Sequence, residues 1–286
     1  MILLTAANSR TQRHVIKALA PSGQPLRAFG RSLDAAWFGA RGVTDLRNED
    51  LLDRAALADA MRGVGTVIHV GPGLQQQETT IGTFVIDAAR RAGVERFVYI
   101  SVIHPQIDYL MNHRAKRMVE DHLIGSRLNF TILQPQHYFQ NVPVHRAVDS
   151  GQVTLPYDMD RELGFVDMAD LGAAAAKVVT EPGHEYATYE IASHEHLTGN
   201  AIAAILSDLS GRSVTAARMP LQAFIDGYAA HFAPDEFGVD WTADAITRLF
   251  SYYDRYGIRG NGNVLTWLLG RPPTPFESYV RRELAA

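Results

Sequence analysis

Residues 1–134 alternate short apolar, β-branched runs with longer amphipathic segments, and this alternation constrains the fold more than any other feature of the chain. The runs predict six strands, in the order "ILLT", "PLRAF", "GVTDL", "TVIHV", "RFVYIS" and "NFTIL". The segments between them repeat apolar residues at three- and four-residue steps, which is typical of helices. Because crossovers between parallel strands are right-handed, the pattern predicts a doubly wound parallel sheet with helices on both faces.

The pattern changes after Pro135, where short strands, a helix and then a mainly helical tail are indicated. We therefore predict an α/β fold with a Rossmann-like nucleotide-binding core at residues 1–150. A smaller, mainly helical substrate region follows at residues 151–286, and some of its strands and helices rejoin the core. The cleft between the two parts is the expected ligand site. Aromatic residues of the second half could wall a substrate pocket, although helical aromatics more often form core; they are Tyr138, Phe139, Phe232, Trp241, Phe250, Tyr252 and Tyr253.

Composition excludes several classes of partner. A net charge of -4 supplies no basic excess for a phosphate backbone, so nucleic acid is not expected. No run approaches the roughly 20 apolar residues of a membrane span, and no secretory signal is visible, so we expect a cytoplasmic protein without a membrane partner. The chain has 0 cysteines, which excludes thiolate chemistry. The expected partners are a small-molecule substrate and a second copy of the chain in a homodimer.

The turn after the first strand, in "TAANSRTQRHVIKAL", resembles a nucleotide-binding turn without its glycines. Ala6, Ser9 and Gln12 occupy the three positions of a GxxGxxG pattern. Alanine and serine fit such a turn if their φ angles are negative, whereas the Gln12 side chain must lie between helix and strand or project into the pyrophosphate space. The helix N-terminus, with Arg10 and Arg13 beside it, still favours an anion.

Two further strand ends complete the predicted cofactor site. Arg31 follows the second strand, where an arginine favours a 2′-phosphate and hence NADP over NAD, although a solvated surface arginine is an open alternative. Gly71 and Pro72 follow the fourth strand and could allow close backbone approach.

The segment after the fifth strand carries the predicted chemistry. Ser101 ends that strand, and Asn112 and Lys116 lie one helical turn apart on one helix face. Lys116 could hold a nicotinamide ribose or act as an acid–base group in the cleft. His104, His113 and His137 could exchange protons near pH 7, or could each cap a loop or pack. No HExxH spacing is present, and we expect no metal site.

Several segments make the chain resemble the NmrA-like family, atypical members of the short-chain dehydrogenase/reductase superfamily. They include "SVIHPQ", "NHRAK", "TILQPQHYFQN", "FVDMADLGAAAAKVV" and "LLGRPPTPFE". The resemblance implies a Rossmann core that usually binds NADP, in a family that includes redox-sensing regulators and reductases of quinones or aromatic compounds. It also implies that Ser101, Lys116 and the 134–141 loop line the ligand. Where a short-chain dehydrogenase has its tyrosine acid, this chain has Asn112.

These inferences give three sets of predicted site residues. The catalytic set is Lys116, Asn112, His113, Ser101 and His104. The cofactor set is Ala6, Ser9, Arg10, Gln12, Arg31, Gly71, Pro72 and Lys116. The substrate set is His104, Gln136, His137, Tyr138 and Asn141. Asp167 and Asp170 are predicted as structural residues, a helix N-cap and a first-turn acid.

The first functional hypothesis is an NADP-dependent oxidoreductase acting on a small aromatic, carbonyl or quinone substrate. In it, Lys116 orients the substrate with the help of Asn112 or a histidine. Two alternatives remain open from the sequence. One is a cofactor-independent lyase, isomerase or hydrolase that uses Lys116 and the histidines. The other is a non-enzymatic regulator that senses NADP.

Overall fold

A computed structural model of the chain describes residues 1–229 and 239–286. Its central sheet has seven parallel strands in the order β10-β6-β5-β4-β1-β2-β3. Their bounds are β1 Ile2–Leu4, β2 Leu26–Phe29, β3 Asp45–Arg47, β4 Thr66–Val70, β5 Arg96–Ile100, β6 Phe130–Pro135 and β10 Ala187–Ile191. The six predicted strands and the Rossmann-like parallel sheet are confirmed, and a seventh strand from the second half of the chain extends the sheet beside β6.

Twelve helices accompany the sheet in the described part of the chain. Their bounds are α1 Arg10–Leu19, α2 Ala35–Gly39, α3 Arg54–Ala60, α4 Glu78–Ala92, α5 Met111–Gly125, α6 Val144–Ser150, α7 Met168–Thr180, α8 Gly199–Ser210, α9 Leu221–Ala229, α10 Val239–Tyr256, α11 Asn263–Leu269 and α12 Phe276–Leu284. Helices α1, α7 and α11 pack together on one face, and α3, α4 and α5 pack together on the other. The sheet is therefore covered on both sides, as a doubly wound fold requires.

Successive residues of β1 show why both faces are filled. Leu4 packs into a core with Val15 of α1, while Leu3 packs into a second core with Val85 of α4. Side chains alternate across a strand, so a strand that is apolar at every position must be buried on both sides. The continuous apolar runs in the sequence have this origin.

A third core lies in the second half of the chain. It combines Phe139, Phe165 and Phe276 with residues of α10, including Phe250 and Tyr253. Short strands border it: β7 His137–Tyr138, β8 Gln152–Leu155, β9 Leu163–Val166, β11 His196–Leu197 and β12 Thr215–Arg218. They form a three-stranded sheet, β11-β9-β7, and a two-stranded sheet, β12-β8. The predicted aromatics Phe139, Phe250 and Tyr253 are thus core residues, Tyr252 packs partly buried against the same core, and Phe232 lies outside the described residues.

Asp167 and Asp170 have the structural roles predicted for them and also anchor the C-terminal segment. Asp167 is the N-cap of α7 and accepts a hydrogen bond from the Ala169 amide at 2.9 Å. Arg282 donates to its other oxygen at 2.8 Å. Asp170, in the first turn, accepts from Arg271 at 2.6 Å and is almost fully buried. The two carboxylates therefore hold α12 and the loop before it against α7.

Candidate functional site

The turn between β1 and α1 has a left-handed residue at its first position. Ala6 has φ of +46°, so the condition under which an alanine fits this turn without strain, a negative φ, is not met at Ala6. The Ser9 amide donates to the Ala6 carbonyl at 2.9 Å and closes the turn. A left-handed alanine costs about 1–2 kcal/mol, which the surrounding sheet and helix must offset. The tight turn of a nucleotide-binding domain is thus made here without its first glycine.

Gln12 takes the first of the two orientations considered for it. Ser9 caps α1, and its Oγ accepts from the Gln12 amide at 3.2 Å. The Gln12 side chain is fully buried, and its Nε2 donates to the Ile68 carbonyl of β4 at 2.9 Å. It therefore fills the space between α1 and β4 that a glycine would leave open. Contact of Ser9 and Gln12 with a cofactor stays a prediction.

Arg10 connects the predicted cofactor turn to the predicted substrate loop. Its guanidinium donates at 2.9 Å to the Gln140 carbonyl and at 2.9 Å to Asn141 Oδ1. Asn141 Nδ2 lies 3.3 Å from His137 Nε2 and donates to it. Residues placed in separate sets by the sequence, Arg10 with Asn141 and His137, therefore form one hydrogen-bonded chain at the end of β6.

Arg31 lies on the rim, beyond the end of β2. Its side chain is exposed and stands 3.8 Å from the Asp50 carboxylate, a loose ion pair. The Asn8 side chain donates to the Ser32 carbonyl at 3.1 Å and ties this rim to the β1 turn. Arg31 therefore lies on the same rim as that turn, and its binding of a 2′-phosphate stays a prediction.

Lys116 occupies the centre of the site and has a partner that the sequence did not reveal. Its ammonium forms a buried ion pair with Glu78, the first residue of α4. Burial raises the pKa of Glu78, and the nearby ammonium opposes that rise. Gly71 lies directly against the Glu78 carboxylate, since a Cβ at position 71 would be 2.9 Å from Glu78 Oε1. The close packing of Glu78 therefore explains a glycine at position 71 without any contact with a pyrophosphate. Contact of Gly71 and Pro72 with a cofactor stays a prediction.

Two of the predicted catalytic residues, Ser101 and Asn112, are buried polar residues at the end of β5 and in the first turn of α5. Within the described residues, Asn112 Oδ1 has no hydrogen-bond partner, whereas the Ser101 hydroxyl interacts with the side chains of Tyr99 and Glu120. Buried polar atoms are rarely left unpaired in proteins, so Asn112 Oδ1, one helical turn before Lys116, indicates a place where a ligand hydroxyl can donate a hydrogen bond.

The buried His113 is hydrogen-bonded to the backbone of His104, whose own side chain is partly exposed. His113 Nδ1 donates to the His104 carbonyl at 3.1 Å. Burial lowers the pKa of His113 to about 4, so the ring is neutral at pH 7 and only Nε2 is left as an acceptor. His104, with φ of +51°, donates from Nε2 to the Arg259 carbonyl at 2.7 Å. At pH 7 His113 therefore has no proton to give from Nε2, and its lowered pKa makes it a weak base.

The substrate set divides by burial. Gln136 is buried, and its Oε1 accepts from the Ser193 amide at 3.0 Å, so it fastens β6 to the segment after β10. His137 is half-buried between the rings of Phe165 and Tyr253, and burial lowers its pKa to about 4. Burial likewise raises the pKa of Tyr138 to about 12. The four predicted substrate residues of the loop, Gln136, His137, Tyr138 and Asn141, remain predictions as ligand contacts.

Sequence reasoning missed four polar residues around Lys116. Glu78 is its ion-pair partner, His69 stacks on Tyr99 at 5.6 Å, and Glu120 accepts two hydrogen bonds from Gln134. Tyr228 of α9 places its hydroxyl 3.4 Å from the Gly73 carbonyl. The only sign of Glu78 in the sequence is its place as an acidic residue at the start of a predicted helix. Acidic residues are common there because they interact favourably with the helix dipole, so this position does not indicate a functional role.

These residues fit a dinucleotide. The α1 N-terminus has an N-cap serine and a neighbouring arginine, which is the arrangement that binds phosphate at helix ends. Lys116 and unpaired buried polar atoms lie after β4 and β5, where hydroxyl groups of a ribose could be satisfied. In the described ranges, no group of three or more histidine and acidic side chains could hold a metal ion.

The fold and site thus define a Rossmann-type protein of the dinucleotide-binding class. The chain belongs to the NmrA-like family, which matches residues 1–259. It is 28% identical over 285 residues to quinone oxidoreductase 2 of Escherichia coli (strain K12), covering 98% of this chain and 97% of that protein. It is 25% identical to an NAD(P)H azoreductase of Xenophilus azovorans, covering 100% and 99%.

Solved structures of reductases are also similar to this chain. An NADPH-dependent quinone oxidoreductase of Escherichia coli, solved in complex with NADPH, is similar with a TM-score of 0.78 and 27% identity over 99% of this chain and 100% of that chain. A triphenylmethane reductase of Citrobacter sp. complexed with NADP(H) is similar in fold, with a TM-score of 0.79 and 22% identity over 98% and 99%.

Among the helices of residues 1–229 and 239–286, none combines the length and apolar character needed to cross a membrane.

Proposed function

We propose that this protein is an NADPH-dependent oxidoreductase that reduces a quinone or another small aromatic substrate. The observation that carries the proposal is that Lys116 and the α1 N-terminus lie at one edge of the sheet, after β5 and β1. The carboxyl edge of such a sheet is where a dinucleotide binds. Similarity along the whole chain to a quinone oxidoreductase supports the same activity.

The residues of the first turn would hold the phosphates. The α1 N-terminus and Arg10 would bind the diphosphate, and Arg31 the 2′-phosphate. The present partners of Arg10 are a backbone carbonyl and a neutral amide. A phosphate can replace them because hydrogen bonds between two charged groups are stronger.

The residues after β5 would orient the reacting groups. When bound, NADPH supplies the hydride. Lys116 would hold the nicotinamide ribose. Asn112, which stands where a short-chain dehydrogenase has its catalytic tyrosine, would donate a hydrogen bond from its amide group to a substrate carbonyl. Reducing a quinone also requires a proton. His113 has no proton to give from Nε2 at pH 7, so the Lys116 ammonium, in exchange with solvent, is the group that would supply it.

The cofactor-independent alternative loses its motivation in the structure. It was based on the missing glycines, but the Gln12 side chain lies between α1 and β4, and so it does not block the helix N-terminus. For the regulator, the likeness to NmrA, a negative transcriptional regulator, is one of fold at 18% identity. Neither alternative is favoured by a specific contact. A cytoplasmic location, the homodimer and the division at residue 150 stay predictions.

Binding and turnover test the proposal separately. We expect NADPH fluorescence to change saturably on titration, and NADPH oxidation at 340 nm to depend on an added quinone. Lys116→Met should abolish turnover, whereas Lys177→Met, which removes a lysine on the surface of α7, should not. No saturable NADPH signal at high micromolar concentration would contradict the proposal.

A further inference from the structure

We propose that Glu78 is a positioning residue for Lys116, whose carboxylate keeps the lysine protonated and directed toward the ends of β4 and β5. The inference rests on the proposed oxidoreductase function and extends it to a residue on a different helix. Neither the glycine pattern nor the Asn112–Lys116 spacing points to Glu78.

The contact itself is an enclosed ion pair. Lys116 Nζ donates to Glu78 Oε1, and the side chains are 11% and 0% exposed. Burying a lone ammonium or a lone carboxylate costs several kcal/mol, so each charge is tolerable only beside the other. A pair of this kind differs from the exposed ion pairs of the surface, which contribute little.

Two close backbone approaches build the pair into the fold. A Cβ at Gly71 would lie 2.9 Å from Glu78 Oε1, so the backbone after β4 leaves room for the carboxylate. One turn after Glu78, a Cβ at Gly82 would lie 2.6 Å from Val119 Cγ2. Val119 is three residues after Lys116, on the same face of α5. Helices α4 and α5 are therefore close together where the two charges meet.

The pair also presents complementary hydrogen-bonding groups. Glu78 Oε2 is buried and has no hydrogen-bond partner among the residues that the structure describes. A hydroxyl group beside the pair would find a donor in the ammonium and an acceptor in this oxygen. Sugar hydroxyls, which both donate and accept, have the matching chemistry.

The surroundings leave Glu78 as the counter-charge of Lys116. The other titratable groups facing the pair from the elements packed around it are His69, Tyr99, His113, Glu120 and Tyr228. Burial lowers the pKa of His69 to about 3 and that of His113 to about 4, and raises the pKa of both tyrosines, so these groups are neutral at pH 7. Glu120 accepts two hydrogen bonds from Gln134 and also interacts electrostatically with Lys116, but Glu78 is the carboxylate in direct contact with the ammonium.

The lysine content of the chain makes a direct test possible. The sequence contains three lysines: Lys17, Lys116 and Lys177. Labelling lysine with 13C at Cε therefore gives three NMR signals, whose titration midpoints can be followed without nucleotide. In Glu78→Gln, which keeps the shape and an acceptor oxygen, we expect the Lys116 midpoint to fall by about 1–3 pH units because the ammonium loses its counter-charge. Lys17 and Lys177 should not change.

A matched control removes the same charge from a surface pair. Lys177 Nζ donates to Glu181 Oε1 at 2.7 Å, and both side chains are partly exposed. Glu181→Gln should leave the Lys116 midpoint unchanged. As a second variant, Gly71→Ala should displace the Glu78 carboxylate and move the Lys116 midpoint in the same direction as Glu78→Gln. This variant serves also if Glu78→Gln does not fold.

The consequence for the reaction is a change in its pH range. In Glu78→Gln, the alkaline limb of the kcat profile should move to lower pH by the same shift as the Lys116 midpoint, and a merely structural role would lower kcat at every pH alike. Midpoints of Lys116 that are unchanged in the folded variants would overturn the inference. If the midpoint moves but the wild type binds no NADPH, the pair is real and the proposed function fails.

Discussion

Replacing Gln12 with glycine restores the residue that a glycine-rich nucleotide turn has at this position, and it tests where the Gln12 side chain lies. Because that side chain points between α1 and β4, we expect Gln12→Gly to lower stability and to leave the affinity for NADPH within a factor of about two. A side chain in the pyrophosphate space would give the opposite pattern.

The size of the stability loss follows from the contacts of Gln12. Its hydrogen bond to Ile68 contributes about 1 kcal/mol, and its two buried methylenes about 0.8 kcal/mol each. Glycine in a helix costs up to about 1 kcal/mol more. Removing Oε1, which is buried without a partner among the described residues, returns about 1–3 kcal/mol. The Ile68 carbonyl keeps its bond from the Thr5 amide at 3.2 Å. The net loss is therefore about 0.5–2.5 kcal/mol.

Urea unfolding and NADPH fluorescence titration measure the two quantities on the same samples. Gln12→Ala is the control, since it removes the same polar atoms but keeps helix propensity, and it should be up to about 1 kcal/mol more stable than Gln12→Gly. A gain of tenfold or more in NADPH affinity with glycine would refute the assignment of Gln12 to the helix–sheet interface.

Three further predictions follow from named contacts. Asp170→Asn should destabilise the fold by about 2–4 kcal/mol in urea unfolding, because a buried carboxylate loses its charge beside Arg271, whereas the exposed Asp149→Asn should cost almost nothing. Arg31→Ala should raise the Kd for NADPH about fivefold to tenfold and leave that for NADH unchanged, and equal losses for both would contradict the 2′-phosphate assignment. The pKa of His113 is about 4 in the folded protein and about 6.5 in the unfolded chain. The neutral buried ring therefore contributes its full stabilisation above pH 6.5, and this stabilisation is lost as the pH falls toward 4. His113→Asn should reduce the pH dependence of the unfolding free energy over this window by about 1.4 kcal/mol per pH unit, and an unchanged slope would show that the ring is not buried neutral.

The local pattern of the sequence determined much of the fold. The alternation over residues 1–134 gave six strands of a parallel sheet, because runs that are apolar at every position must be buried on both faces. Asp167 was identifiable as an N-cap because its chemistry depends on amides two residues away. Motifs along nearly the whole chain, from the first βα unit to the "LLGRPPTPFE" segment, were sufficient for the NmrA-like resemblance, which the family match over residues 1–259 confirms.

Only the tertiary structure decided which side chains of the site contact one another. Glu78 and Lys116 are 38 residues apart and meet because α4 and α5 pack closely, so no spacing along the chain predicts the pair. The direction of the Gln12 side chain depended on an acceptor in β4, 56 residues away. The φ of Ala6 is set by the sheet and helix on either side of it, against its own preference. The spacing of apolar residues along the chain indicates which faces of a helix or strand are buried. The partner of a buried charge, in contrast, depends on which helices and strands the fold brings into contact.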